Sequence, residues 1–139
     1  MTPQELKRFI ARYTNEVWNK ANVAAIDRYY APNYLHHDTS RPDVRTLADY
    51  KAWATSLLTG LKDMNIVADD LIAEDDKVVK RWTASGIHHA AIAGIAPTGQ
   101  PVTFSGMSLY RVENERIVES WYAYDLFGLL HQLGGLPKQ

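Results

Sequence analysis

The hydrophobic period of this chain changes just past Gly60 from mainly helical to strand-like, and that change limits the folds open to it. Before it, apolar residues return every three or four positions; after it, they fall in segments of strand length. Thr2-Pro3-Gln4-Glu5 reads as a capping box with proline in the first turn, and Leu6, Phe9, Ile10, Tyr13, Val17 and Trp18 follow on one helical stripe. Asn22 caps a short second helix carrying Val23, Ile26, Tyr29 and Tyr30, which Pro32 ends. Residues 33–38 read as a short, partly aromatic strand, and 40–43 as a polar loop. Thr46 caps a third helix with Leu47, Tyr50, Trp53, Ala54, Leu57, Leu58 and Leu61 as its buried stripe, and Gly60 marks its end.

Residues 65–74, 77–88, 101–113 and 116–125 then read as strands, with tight turns at Asp75-Asp76 and Asn114-Glu115. The segment 89–100 is long for a hairpin and contains Pro97-Thr98-Gly99, so it is expected to be a loop that covers something. Helical spacing returns through Leu126, Leu129, Leu130 and Leu133 until Gly134-Gly135 stops it. Helices first and an antiparallel meander afterwards is an α+β arrangement, with the helices packed on one face of a curved sheet. Such a sheet makes a cone whose open end is a natural pocket. A length of 139 residues fits one domain spanning 1–139.

Composition narrows the function classes. Fifteen basic residues face sixteen acidic ones, and the cations are scattered singly, which argues against a nucleic-acid partner. The absence of cysteine excludes disulfides, thiolate catalysis and Cys-based zinc sites. No apolar run approaches the roughly 20 residues of a membrane helix, and residues 1–13 lack the apolar core of a signal peptide. The expectation is a soluble cytoplasmic protein without a membrane partner. Four Trp and eight Tyr in so short a chain suit an apolar pocket with polar tips.

Three stretches resemble a known family. Val17-Trp18-Asn19-Lys20, Ala31-Pro32-Asn33-Tyr34 and His37-Asp38 are similar to the opening of the SnoaL-like polyketide cyclases. The run from Arg81 to His88, with Gly94-Ile95-Ala96-Pro97-Thr98-Gly99, resembles their middle; Ile117-Val118-Glu119-Ser120-Trp121, Asp125 and the run from Gly128 to Gly134 resemble their end. The resemblance implies an NTF2-like cone, usually dimeric, with a deep apolar pocket. It further implies cofactor-free aldol ring closure, with an acidic residue at the end of the last strand as general acid/base. Asp125 is the residue that matches it, and the resemblance also favours His37 and His88.

Each candidate carries a second reading. Asp125 stands before an apolar helical run, where it is equally a favoured N-cap. His36 and His37 are neighbours on a strand and must point to opposite faces, so one of them enters the pocket; an unperturbed imidazole exchanges protons near pH ~6.5. His88 and His89 pose the same alternative, and His131 is a solvated partner of a helix C-terminus. No His-x-x-x-His helical spacing exists and the histidine pairs diverge, so no metal is expected. Parity groups Trp121, Ala123 and Asp125 on one face of the last strand and Ser120, Tyr122 and Tyr124 on the other. With Asp125 towards the pocket, Trp121 lines it, Met107 is a flexible opposite wall, and Trp18, Tyr34 and Trp82 complete the substrate surface. The tyrosine face, with Tyr110, would then be an exposed patch for a homodimer.

The favoured reading is a lyase or isomerase that performs acid/base chemistry on a small hydrophobic carbonyl compound without a cofactor. Two alternatives stand beside it: a noncatalytic binder of small apolar ligands, and an epoxide hydrolase built on Arg81, Asp38 and Asp125.

Overall fold

Thr2 and Thr46 each close a full capping box, with Glu5 and Asp49 as the reciprocating carboxylates. These caps start α1 (Pro3–Tyr13) and α3 (Leu47–Gly60) where the sequence places them. Between them the chain makes a π-helical turn (Thr14–Asn19), a 3₁₀ turn (Val23–Ala25), the single-turn α2 (Ile26–Tyr29) and β1 (Tyr30–Asp38). Four strands come next, β2 (Leu61–Glu74), β3 (Lys77–His88), β4 (Pro101–Glu113) and β5 (Arg116–Tyr124), and then α4 (Leu126–Gln132). The computed structural model describes residues 1–136.

The sheet order is β1-β5-β4-β3-β2. The last four strands form the expected antiparallel meander, with Asp75 and the Asn114-Glu115 pair at positive φ in the two turns. β1 docks in parallel on β5, so the sheet is mixed. α1 and α3 pack on its inner face and close the cone, which is the α+β arrangement read from the change of period.

Two boundaries differ from the sequence reading, each for a local reason. β1 starts at Tyr30, with Pro32 inside it; an edge strand tolerates proline, and the β1–β5 register shifts between Tyr30 and Leu35. β2 begins at Leu61, directly after α3, and a bulge between Lys62 and Asn65, with Asp63 at φ 54°, masks the alternation. Asn22 makes no side-chain cap.

The orientation of the sheet corrects a further expectation. Tyr110 and Tyr122 are buried and Tyr124 half-buried, all on the helix side, whereas Met107 and Trp121 face outward at 50% and 37% exposure. Parity fixes which residues share a face but not which face is covered. The tyrosines go inside because their hydroxyls find one another there, which satisfies their polar tips. The outer face instead carries a register-paired row, His37, Trp121, Leu109, Val79 and Ile72, running across all five strands. No described helix is long and apolar enough to cross a membrane.

Candidate active site

The cone encloses a slender aromatic cavity of about 20 Å³, its walls closed nearly onto one another. Trp18 from the π-helical turn and Trp53 and Leu57 from α3 form one wall; Met64, Ile66, Trp82, Ala84 and Phe104 form the facing sheet wall. Gly106 permits this. It pairs with both Trp82 and Tyr124, and a Cβ there would lie 2.7 Å from the Trp82 ring and 2.5 Å from Tyr124 Cβ. The Trp82 indole donates to Ser108 Oγ at 3.0 Å, which holds the ring against the wall.

The deep end is polar. Tyr13 Oη accepts from Tyr30 Oη at 2.8 Å and from Trp18 Nε1 at 2.9 Å, and it also contacts the hydroxyls of Tyr50 and Tyr122. Tyr122 Oη lies 3.1 Å from Tyr50 Oη and 3.3 Å from Tyr110 Oη. Burial pushes Tyr30, Tyr50 and Tyr122 well above the ordinary phenol range, so these three hydroxyls are protonated at neutral pH. Burial raises Tyr110 too, while the neighbouring Lys80 charge pulls it back.

Lys80 is the unexpected member. It lines the cavity at 2% exposure, donates to Thr14 Oγ1 at 2.9 Å, and lies 5.4 and 5.3 Å from the ring centroids of Tyr13 and Tyr110. Thr14 is free to accept because its own hydroxyl donates to Ile10 O at the start of the π-helical turn. No carboxylate among the described residues forms an ion pair with Lys80. The cavity therefore holds a buried amine without a counter-charge, facing aromatic walls. A signal for it existed: Lys80 shares strand parity with Val78, Trp82 and Ala84, an apolar face in which a lysine is out of place.

Beside the cavity, β1 presents Tyr34, His36 and Asp38 to the inside. Tyr34 Oη is hydrogen-bonded to His36 Nδ1 at 2.7 Å and to Ser120 Oγ. The His36 ring packs edge-on against Tyr122 at 4.7 Å, and burial drives its pKa down to about 4, so it is neutral at pH 7. Asp38 Oδ1 accepts from Ser40 N and Oγ at 2.9 and 2.6 Å. His36 Nε2 and Asp38 Oδ2 are buried without a partner. Tyr124, which lines the cavity mouth, is raised by burial first and then by the charge of Asp38.

Of the residues singled out from the sequence, Trp18 and Trp82 line the cavity. Tyr34 is buried behind it, in the hydroxyl chain just described. The others lie elsewhere. Asp125 is exposed and caps α4, accepting from Gly128 N at 2.9 Å. His37 is on the outer face, paired with Glu119 at 2.7 Å and stacked on Trp121. His88 is fully buried at the end of β3, where Nδ1 accepts from Thr98 N at 3.1 Å and holds the next loop. Met107 and Trp121 line no part of the cavity. Arg81 is likewise outside, paired with Asp70 at 2.7 Å, so the Arg81–Asp38–Asp125 cluster of an epoxide hydrolase does not assemble. Among the described residues no three His, Asp or Glu side chains converge as metal ligands.

The SnoaL-like polyketide cyclase model matches residues 8–133 of this chain. No curated protein matches it. Among solved structures, TsrD from Streptomyces laurentii is 26% identical with a TM-score of 0.86, over 98% of this chain and 99% of its own. A candidate polyketide cyclase from Acidithiobacillus ferrooxidans is 30% identical with a TM-score of 0.82, over 91% of this chain and 92% of its own. AclR from Streptomyces galilaeus, a candidate hydroxylase, is 25% identical with a TM-score of 0.84, over 96% and 98%. The fold is thus the NTF2-like cone, and the sequence match runs from α1 to the end of α4: the chain belongs to the SnoaL-like polyketide cyclase family.

Proposed function

We propose that the protein is an enzyme that moves a proton next to the carbonyl of a flat, hydrophobic substrate, for aldol ring closure or isomerisation, without a cofactor. The observation that carries this is Lys80, a buried amine facing an aromatic cavity beside protonated tyrosine hydroxyls. Preorganised donors of this kind stabilise an oxygen that gains charge in the transition state, and they do so most strongly where water is excluded. In this reading the aromatic walls part to admit the substrate rings between Trp18, Trp82 and Phe104, and the carbonyl oxygen meets Lys80, Tyr110 and Tyr122.

Asp38 is the proton carrier. It stands beside the cavity and not in its lining; its Oδ2 has no partner, and its charge is felt by Tyr124 at the mouth. The carboxylate takes the α-proton and leaves an enolate. In the aldol case the enolate carbon attacks a second carbonyl, and the resulting alkoxide recovers the proton from the Asp38 carboxylic acid.

The test uses a hydroxyanthraquinone whose visible band moves to the red on ionisation. Bound to the protein, its phenol should ionise at least one pH unit lower than in buffer, about 1.4 kcal/mol in favour of the anion. Lys80→Met should abolish that shift. A dye that binds equally well to both proteins, with no change in ionisation, would overturn the proposal and leave a noncatalytic binding protein.

A further inference from the structure

A second concavity adjoins the cavity, and Trp53, Leu57 and Tyr124 belong to the lining of both. Outward from this collar the walls are Ala91 and Ile92 on the loop after β3 and Leu126, Leu129 and Leu130 on α4. The groove is the roomier of the two, at about 270 Å³. Its loop wall is pinned. Ile92 bridges to Ile95 through paired backbone hydrogen bonds of 3.1 and 2.8 Å. The Ile92 side chain fills the space over Gly60, where a Cβ would lie 2.3 Å from it, and Ile95 packs as closely on Gly135.

The two spaces have opposite character. The inner one ends in an amine and hydroxyls. The outer one is walled by aliphatic side chains, and Arg41, the one cation lining it, is already held in a two-pronged contact with Asp43 at 3.1 and 2.9 Å. That guanidinium is paired at the exposed rim, and the walls of the groove themselves offer aliphatic contact. A molecule whose flat head enters the cavity past these three shared residues would lay any chain attached to that head in the groove.

We infer that the substrate is a flat carbonyl compound bearing an uncharged aliphatic tail, with the head in the cavity and the tail between the loop after β3 and α4. The inference rests on the proposed function for the placement of the head. The collar sets the attachment point, at the end of the ring system remote from the reacting oxygen.

The experiment measures the affinity of hydroxyanthraquinones carrying unbranched alkyl chains of zero to six carbons at the ring position remote from the hydroxyl. Affinity should rise about two- to fourfold for each added methylene until the groove is filled. Ser56→Phe, at an exposed α3 position on the groove wall, should flatten that dependence while the Lys80-dependent ionisation shift persists. Ala91→Trp, on the opposite wall, should do the same. Chain-length independence in the parent protein, with the ionisation shift intact, would overturn the tail site and leave the proposed function standing. An unaltered chain-length dependence in both variants would also overturn it. Tighter binding of a chain ending in a carboxylate than of the matching alkyl chain would refute an uncharged tail. Chain-length dependence without any ionisation shift would support the groove and count against the proposed function instead.

Discussion

Replacing Lys80 by Met should make this protein more stable, and the surroundings of the amine set the size of the gain. The side chain is 2% exposed, so its amine has left water almost completely. In return it has one hydrogen bond of 2.9 Å to Thr14 and the faces of two tyrosine rings 5.4 and 5.3 Å away. A hydrogen bond to a charged group contributes about 1.5–3 kcal/mol, and each of the two cation–π contacts adds about 0.5–2 kcal/mol. Taking an ion of this kind out of water costs several kcal/mol even after relaxation. Met fills nearly the same volume with a flexible apolar chain, and Thr14 keeps its own bond to Ile10 O. The net gain should be about 1–3 kcal/mol, or a melting temperature higher by about 3–10 °C for a domain of this size. Urea unfolding followed by Trp fluorescence measures it. A Lys80→Met protein less stable than its parent by more than about 1 kcal/mol would show that Lys80 is a structural residue. A stability cost retained in an apolar cavity is the signature of a functional group.

Asp125→Asn should keep the α4 cap, since Asn accepts from Gly128 N as Asp does. Its stability should stay within about 1 kcal/mol, and the dye ionisation shift should match the parent; a lost shift would return Asp125 to the site. His36 has its pKa lowered to about 4 from 6.5 in the folded state, so the unfolded chain binds its proton first. Stability should be fully present above pH 6.5 and fall by about 3 kcal/mol as the pH drops to 4. Denaturant titrations of parent and His36→Asn between these limits measure that component, and equal slopes would refute it. Finally, the outer row through Trp121, Leu109, Val79 and Ile72 is proposed as the seat of a second copy of this chain. Light scattering at micromolar concentration should give twice the monomer mass, reduced to the monomer by Trp121→Glu; a monomeric parent would end the idea.

The helices, the meander and its turns were legible because caps, period and positive-φ turn residues all act locally. The features that the sequence obscured depend on contacts between distant segments. Asp125 has the same neighbours in sequence whether it serves as cap or base, and only the orientation of β5 shows that its side chain points to solvent. The same orientation sends Trp121 and Met107 out and Tyr122 in, since alternation defines two faces without saying which one the helices cover. Tyr13 shows why the covered face is the tyrosine face: its hydroxyl joins groups from α1, β1, α3 and β5, a convergence that no local pattern announces. Lys80 was legible in principle from its parity with Val78 and Trp82, but a lone lysine in a strand reads as a solvated one.

The most direct test of proton transfer in the cavity is deuterium exchange at the α-carbon of 2-tetralone, a flat aromatic ketone, monitored by proton NMR in heavy water. The protein should accelerate the exchange over buffer. Asp38→Asn and Lys80→Met should each reduce that acceleration about 100-fold or more, while Asp125→Asn exchanges at the parent rate. Exchange at the buffer rate in the parent protein, or an undiminished rate in Asp38→Asn, would contradict the account.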